Sequence, residues 1–586
     1  MNRLFVQFLL VVTVLFPVST LTASELEKLF DKEWQHRMEQ NPLFARSMGK
    51  KIAKVQFRDI SLTRLSKSHE FYKSLLDDLT AIDLASLDTE QQVNYQIFRD
   101  QVKNQLAYFE FGMYQIPFNS DSGFYSGFAR AQGNFHFDTV KGYEDYLDYL
   151  ESWPSHVAQQ ITHMKVGLDR GFTQPKEILS TLPERVYSYI SPDVEKSVFY
   201  RPFKGLGSKF TERERKQLLQ RAERVITNSV NAGYQTLGDF FKDVYIPGAN
   251  ISIAASDLPQ GKAFYENRIR HYTTLDMTAD EIHQLGLEEV KRIRSEMDEI
   301  IKKVEFKGTF TEFLEFLRTD PQFYAKTEEE LLSRASRIAK RADAALPALF
   351  KHLPRTPYGV EPVPKELAPN YTTGRYVSAP RDSKLPGYYW VNTYALDKRP
   401  LYELEALSLH EAVPGHHLQI ALNQELEDLP NFRQFSYLSA FGEGWGLYSE
   451  WLGIEMGFYT DPYSDFGRLT YEMWRAVRLV VDTGMHAMGW SRDKALAYLA
   501  DNTALSLHNV RTEIDRYISW PGQALSYKIG ELTIKRLRAE AESQLGDAFD
   551  VRDFHDVVLR HGAVPLNVLE QNVASYIKTT VNQAKK

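Results

Sequence analysis

The 586-residue sequence contains no cysteine. That absence removes disulfide staples, thiolate metal ligands, a cysteine nucleophile and a lipid-modified N-terminal cysteine, so any metal must be held by His, Asp or Glu. Long hydrophobic runs are also scarce. The one notable stretch, Leu4 to Val18, follows Arg3 and gives way to small residues ending near Ala23. This pattern reads as a signal peptide over residues 1–23, cleaved near Ala23, with export to the periplasm or beyond and no stable membrane anchor afterwards. There is no surplus of positive charge either: 70 Lys and Arg stand against 77 Asp and Glu, a formal net charge of −7. Such a mildly acidic chain gives no reason to expect nucleic acid or an anionic membrane as partner. A Gly-x-Ser-x-Gly elbow and a phosphate-binding P-loop are missing, which argues against a serine hydrolase and a nucleotide enzyme.

What is present is an ordinary globular composition, 43% hydrophobic and 25% charged, able to bury a large core. Val93, Ile97, Phe98, Val102, Leu106 and Phe109 step by three and four after Asp88, which predicts a capped helix. Thr278 with Glu281 forms a capping box ahead of Ile282, Leu285, Val290, Ile293, Met297 and Ile300. Strand signals are few, the best being Tyr388 to Thr393 after the breaker pair Pro386-Gly387. The expected fold is therefore mainly α with a small sheet. Turn-rich segments at 246–262 and 353–387 suggest an N-terminal helical half, 24–255, and a C-terminal half, 256–586, within one continuous unit with a soft boundary.

Three of the 15 histidines fall in LSLHEAVPGHHLQIAL, where His410 is followed by Glu411 and then by His416 and His417. In a His-Glu-x-x-His helix, two imidazoles on one face bind zinc and the adjacent glutamate takes a proton from water. Here Pro414 occupies the position of the second histidine. On a regular helix of about 100° per residue, His416 would lie roughly 120° away from His410, and His417 about 10.5 Å along the axis. A bulge at Pro414-Gly415 that absorbs two residues would bring His416 into the place of the second ligand, with His417 as the alternative. Downstream, in SAFGEGWGLYSEWLG, Glu443 is the expected third ligand and Glu450 its supporting partner behind the metal. One Zn²⁺, or another divalent ion, is the implied cofactor.

PGHHLQ resembles the end of the active-site helix in the gluzincin zinc peptidases, such as thimet oligopeptidase and carboxypeptidase Taq, with two residues inserted after His410-Glu411-Ala412. LHEAVPGHHLQ, EGWGLYSE, VDTGMH and PGQALSYKIG are more closely similar to a large bacterial family known only as a domain of unknown function. The resemblance implies a zincin-like, two-lobed helical body with a deep cleft and a peptide substrate. Carried over by residue, it implies His410, His416 and Glu443 as metal ligands and Glu411 as general base. It also makes Tyr388 to Thr393 similar to the edge strand that pairs with an extended peptide, which would bring Tyr389 and Asn392 to the substrate. Tyr527 with Gly530 resembles a Tyr-x-x-Gly pattern of carboxypeptidase Taq, and Arg516-Tyr517 resembles an Arg-Tyr pair of angiotensin-converting enzyme. Tyr527 is the preferred oxyanion donor and Tyr517 the second choice. Asp482 and His486, four residues apart, either support the site or form a satisfied core pair. The leading expectation is a zinc-dependent metallopeptidase. The alternatives are a metal-dependent hydrolase of non-peptide or cell-wall amides, and an exported binding protein that has kept the fold without catalysis.

Overall fold

The structure is a computed structural model that describes residues 19–584 apart from positions 208, 366, 382 and 383. Most of the expected signal peptide lies outside the described residues. Helices dominate, and both caps read from the sequence are formed. Asp88 and Gln91 close a capping box on α1 (Thr89–Glu110), and Thr278 and Glu281 do the same on α2 (Ala279–Lys303). Each box satisfies backbone N–H groups that the first helical turn leaves unpaired.

The sheet has three strands, β1 (Tyr358–Pro362), β2 (Gly374–Val377) and β3 (Gly387–Val391), in the order β1-β3-β2. β1 runs parallel to β3 and β2 antiparallel to it. The strand expected from Tyr388 to Thr393 is therefore the central one, hydrogen-bonded on both sides, and cannot accept a peptide along its edge. The free edge nearer the histidine cluster belongs to β2.

Apolar side chains collect into two large cores, and both draw residues from either side of position 255. The helix α2 and a later one, α6 (Pro462–Ala487), pack on each other and join the two cores: Ile282 and Leu479 lie in one, Ile293 and Val480 in the other. Four further helices carry the candidate site: α3 (Leu404–Glu411), α4 (His416–Gln424), α5 (Ser439–Leu452) and α8 (Ser526–Leu545), with α7 (Leu507–Ser519) preceding the last. The helices α5 and α8 meet backbone to backbone at Gly444 and Gly530. A Cβ on Gly530 would lie 2.0 Å from the Ala440 carbonyl oxygen, and one on Gly444 2.5 Å from the Gly530 Cα.

Candidate metal centre

The break between α3 and α4 does what the Pro414-Gly415 pair requires. The helix ends at Glu411, the Val413–Pro414 peptide is cis, and the chain turns back so that Gly415 N–H donates to Leu409 O at 3.0 Å and His417 N–H to Ala412 O at 3.1 Å. The loop passes so close to the helix end that a Cβ on Gly415 would stand 1.9 Å from the His410 carbonyl oxygen. Trp445 of α5 holds the turn by donating its indole N–H to Pro414 O at 2.8 Å. Two residues are thereby looped out, and the His410 and His416 rings come to a centroid separation of 4.7 Å.

Glu443 completes the cluster. Its Oε2 lies 3.6 Å from His410 Nε2 and 3.5 Å from His416 Nε2, and the ligand atoms of the three residues all lie within 4.8 Å of one another. Zinc with bonds of about 2.0–2.1 Å in tetrahedral geometry would place its ligands roughly 3.3 Å apart, so the observed spacing fits with small closure. Two imidazoles and one carboxylate are also the donor set of a catalytic zinc site, which keeps a fourth position open. Behind His410, Glu450 Oε1 lies 2.7 Å from Nδ1. An ionised carboxylate can only accept, so Nδ1 keeps its proton, and Nε2 is the nitrogen that would give one up to bind a metal in the cluster. The ring fits tightly, since a Cβ on Gly446 would meet His410 Cε1 at 2.6 Å.

The electrostatics favour a cation. Burial opposes charging the His410 imidazole, yet Glu443, Glu450 and Glu411 outweigh it and raise its pKa to about 9. Burial works against ionisation of Glu443 too, but the two imidazoles hold it well below the usual carboxylate range. His416 Nδ1 and Glu450 Oε2 are buried without hydrogen-bond partners among the described residues. Excess carboxylate around two imidazoles is the field a divalent ion would neutralise.

Glu411 extends from the end of α3 toward β2, where Oε2 accepts the Tyr376 N–H at 2.7 Å. His417 points away from the cluster: Nδ1 meets the Tyr376 hydroxyl at 3.0 Å, the ring packs on Tyr358, and burial lowers its pKa to about 4. Between His416 and His417, the geometry favours His416. Tyr527 of α8 lies beside two arginines, with Arg478 4.2 Å and Arg475 5.9 Å from its ring centroid. Burial first, and then Glu443, raise its pKa, while Arg478, Arg516 and Arg475 oppose them.

Several other expected residues serve elsewhere. The Tyr517 hydroxyl donates to Glu513 at 2.6 Å and accepts from Arg478 at 2.8 Å and Trp474 at 2.9 Å, which uses its one proton and both lone pairs. It is therefore corrected from candidate donor to packing group. Arg516 is committed to Glu513 and Gln523. Asp482 accepts from the Tyr265 hydroxyl and the Gly522 N–H, and the His486 ring bridges Ala255 N–H and Tyr517 O, the satisfied core arrangement. Tyr389 is fully buried against Ser408, and Asn392 clasps the carbonyls of Ala368, Tyr371 and Thr372, so neither faces a substrate.

Three contributors escape sequence reading. Tyr437 donates its hydroxyl to Glu443 Oε1 at 2.9 Å, Tyr376 orients Glu411 through its backbone, and Arg475 Nη2 stands 3.5 Å from Glu450. Only Tyr437, six residues before Glu443, lies near enough in sequence to be noticed.

A mainly α body with a His-His-Glu cluster at a broken helix is the class these observations define. Residues 42–573 match the model of a family described as "Bacterial protein of unknown function (DUF885)", and the chain belongs to that family. A lipoprotein candidate from Colwellia psychrerythraea has a similar crystal structure, at 30% identity and TM-score 0.88, covering 95% of this chain and 100% of that one. A lipoprotein candidate of unknown function from Shewanella oneidensis, 19% identical, shares the fold at TM-score 0.73, covering 94% of this chain and 99% of that one. The sequence matches no curated protein. Unlike proteins lipidated on cysteine, this chain has no such residue, and no helix among its described residues is long and apolar enough to cross a membrane.

Proposed function

We propose that the chain is a zinc-dependent hydrolase of the metallopeptidase type, acting outside the cytoplasm after loss of residues 1–23. One observation carries the reading: the Nε2 atoms of His410 and His416 lie 3.6 and 3.5 Å from a single Glu443 oxygen, with Glu411 next in sequence to His410. The resemblance of LHEAVPGHHLQ to the gluzincin motif supports the same reading.

His410, His416 and Glu443 would hold the ion. Zinc bound there would supply Lewis acidity, polarising a carbonyl oxygen and acidifying water. Glu450 keeps the His410 proton on Nδ1, so that Nε2 stays available. Tyr376 N–H fixes Glu411 Oε2, and the Glu411 carboxylate takes the proton of the attacking water and returns it to the leaving amine. The Tyr527 hydroxyl, free of hydrogen-bond partners among the described residues, donates to the oxyanion that develops on the carbonyl. Peptide is the substrate class, by the gluzincin resemblance.

Purified chain and the Glu411→Gln variant, tested for bound metal and against a mixed peptide library, decide the matter. The variant should keep one zinc per chain and lose hydrolysis by about 10²- to 10⁴-fold. Metal without peptide cleavage in the unaltered chain would turn the assignment toward other amides or toward a binding protein.

A further inference from the structure

Away from the metal ligands, an apolar cavity of about 370 Å³ lies between the Ile116–Gly123 segment and the turn at Trp520-Pro521. Its size falls within the roughly 300–1,000 Å³ of small-molecule sites. Its polar content is unusual. Arg268, only 8% exposed, lines it, and no Asp or Glu does among the described residues. The guanidinium donates Nη2 to the neutral Asn267 side chain, and among the described residues Nε is buried without a hydrogen-bond partner and no ion pair reaches the group. Arg468 by contrast meets Asp465 and Glu472, Arg475 meets Glu450 and Arg478 meets Glu513, while Arg433, also without an ion pair among the described residues, spends Nη1 on Asn94 and Nη2 on the His561 carbonyl. The one histidine in the lining adds no fixed charge, because His486 Nδ1 accepts from Ala255 N–H while Nε2 donates to Tyr517 O. Burial presses the Arg268 pKa downward, with only Tyr272 opposing it. A buried cation without an anion is costly unless a ligand supplies one.

We infer that this cavity binds the carboxylate end of an apolar, residue-sized ligand, with Arg268 as its anchor. The surroundings indicate which ligand. Tyr272 and Trp520, hydrogen-bonded to each other, line both this cavity and a cleft of about 760 Å³. That cleft also carries Tyr437, whose hydroxyl bonds Glu443. A peptide whose C-terminal residue fills the cavity would run past this pair toward the metal ligands. The choice of a peptide C-terminus rests on the hydrolase proposal; carboxylate binding by Arg268 does not.

Calorimetric titration of the full chain, held in chelator so that no metal contributes, separates the two. N-acetyl-phenylalanine should bind at least ~10-fold tighter than its amide, the discrimination expected of a buried charge-assisted hydrogen bond. Arg268→Gln should erase that preference with an unchanged melting curve, while Glu411→Gln should leave it intact. Equal binding of acid and amide, no binding of either, or a preference that survives Arg268→Gln would overturn the assignment. Should Arg268→Gln fail to fold, the acid-to-amide ratio in the unaltered chain decides alone. Discriminating binding together with no peptide cleavage by the metal-loaded chain would keep the pocket and remove the peptidase reading.

Discussion

Two buried charge clusters both draw on helix α6, one with α2 and α8 and the other with α3, α4 and α5, and they are built on opposite plans. In one, Lys528 is fully enclosed with Nζ 2.9, 2.8 and 2.6 Å from Glu289, Glu472 and Glu531, while Arg292 and Arg468 also contact Glu472. Each of these three carboxylates touches a cation, and Lys535, Glu296 and Asp465 extend the network outward. In the other, Glu411, Glu443 and Glu450 gather around two imidazoles with Arg475 as the nearby guanidinium, and an imidazole nitrogen and a carboxylate oxygen are left unpaired. A cluster in which every carboxylate has its cation is architecture, whereas one that gathers carboxylates around two imidazoles is prepared for something it does not itself contain.

The largest expected effect breaks the open cluster: Glu443→Ala should abolish stoichiometric zinc after dialysis, measured by elemental analysis, while Lys528→Met should bind one ion as before. Retention of a full ion by the Glu443 variant would remove the distinction. Next comes the closed cluster. Losing the Lys528 charge strands buried carboxylates, so urea unfolding of Lys528→Met should show a destabilisation of about 3–5 kcal/mol.

The clusters should also differ in their response to pH. The His410 pKa is raised from 6.5 to about 9, so its protonation stabilises the metal-stripped chain fully below pH 6.5, and that contribution is lost as pH rises through 9. Denaturation midpoints of stripped protein should fall across this window, by about 1.4 kcal/mol per pH unit at most, and zinc should suppress the fall. Lys528, whose pKa is raised by Glu472, Glu531 and Glu289 against the opposing effect of burial, should contribute nothing there. The smallest effect sharpens the contrast: Glu450→Gln should weaken zinc by about 10- to 100-fold in a chelator competition without unfolding the chain.

The meeting of His410 and His416 was legible in the sequence because its cause is local. Pro414 and Gly415 forbid a continuous helix, and a two-residue loop is the way His410 and His416 can meet. Helix starts at Asp88 and Thr278 were readable for the same reason, since a capping box spans four residues. The place of β3 was not, because it depends on β1, whose PYGVEP stretch carries two prolines and reads as a turn. Nor was the fate of Tyr517 or Arg516, which is set by Arg478 and Trp474 on α6 and by Glu513 on their own helix. Arg268 gave no signal at all, for an unpaired cation is visible only once every potential partner has been located.

The Gly444–Gly530 contact carries a mechanical consequence. With no side chain between them, α5 and α8 are locked as a single plate, and that plate bears Glu443 and Glu450 on one member and Tyr527 on the other. The spacing from carboxylate to hydroxyl is thereby insulated from any breathing of the surrounding helices, and a methyl group at Gly530 would pry the two apart and spoil that alignment before it disturbed the rest of the chain.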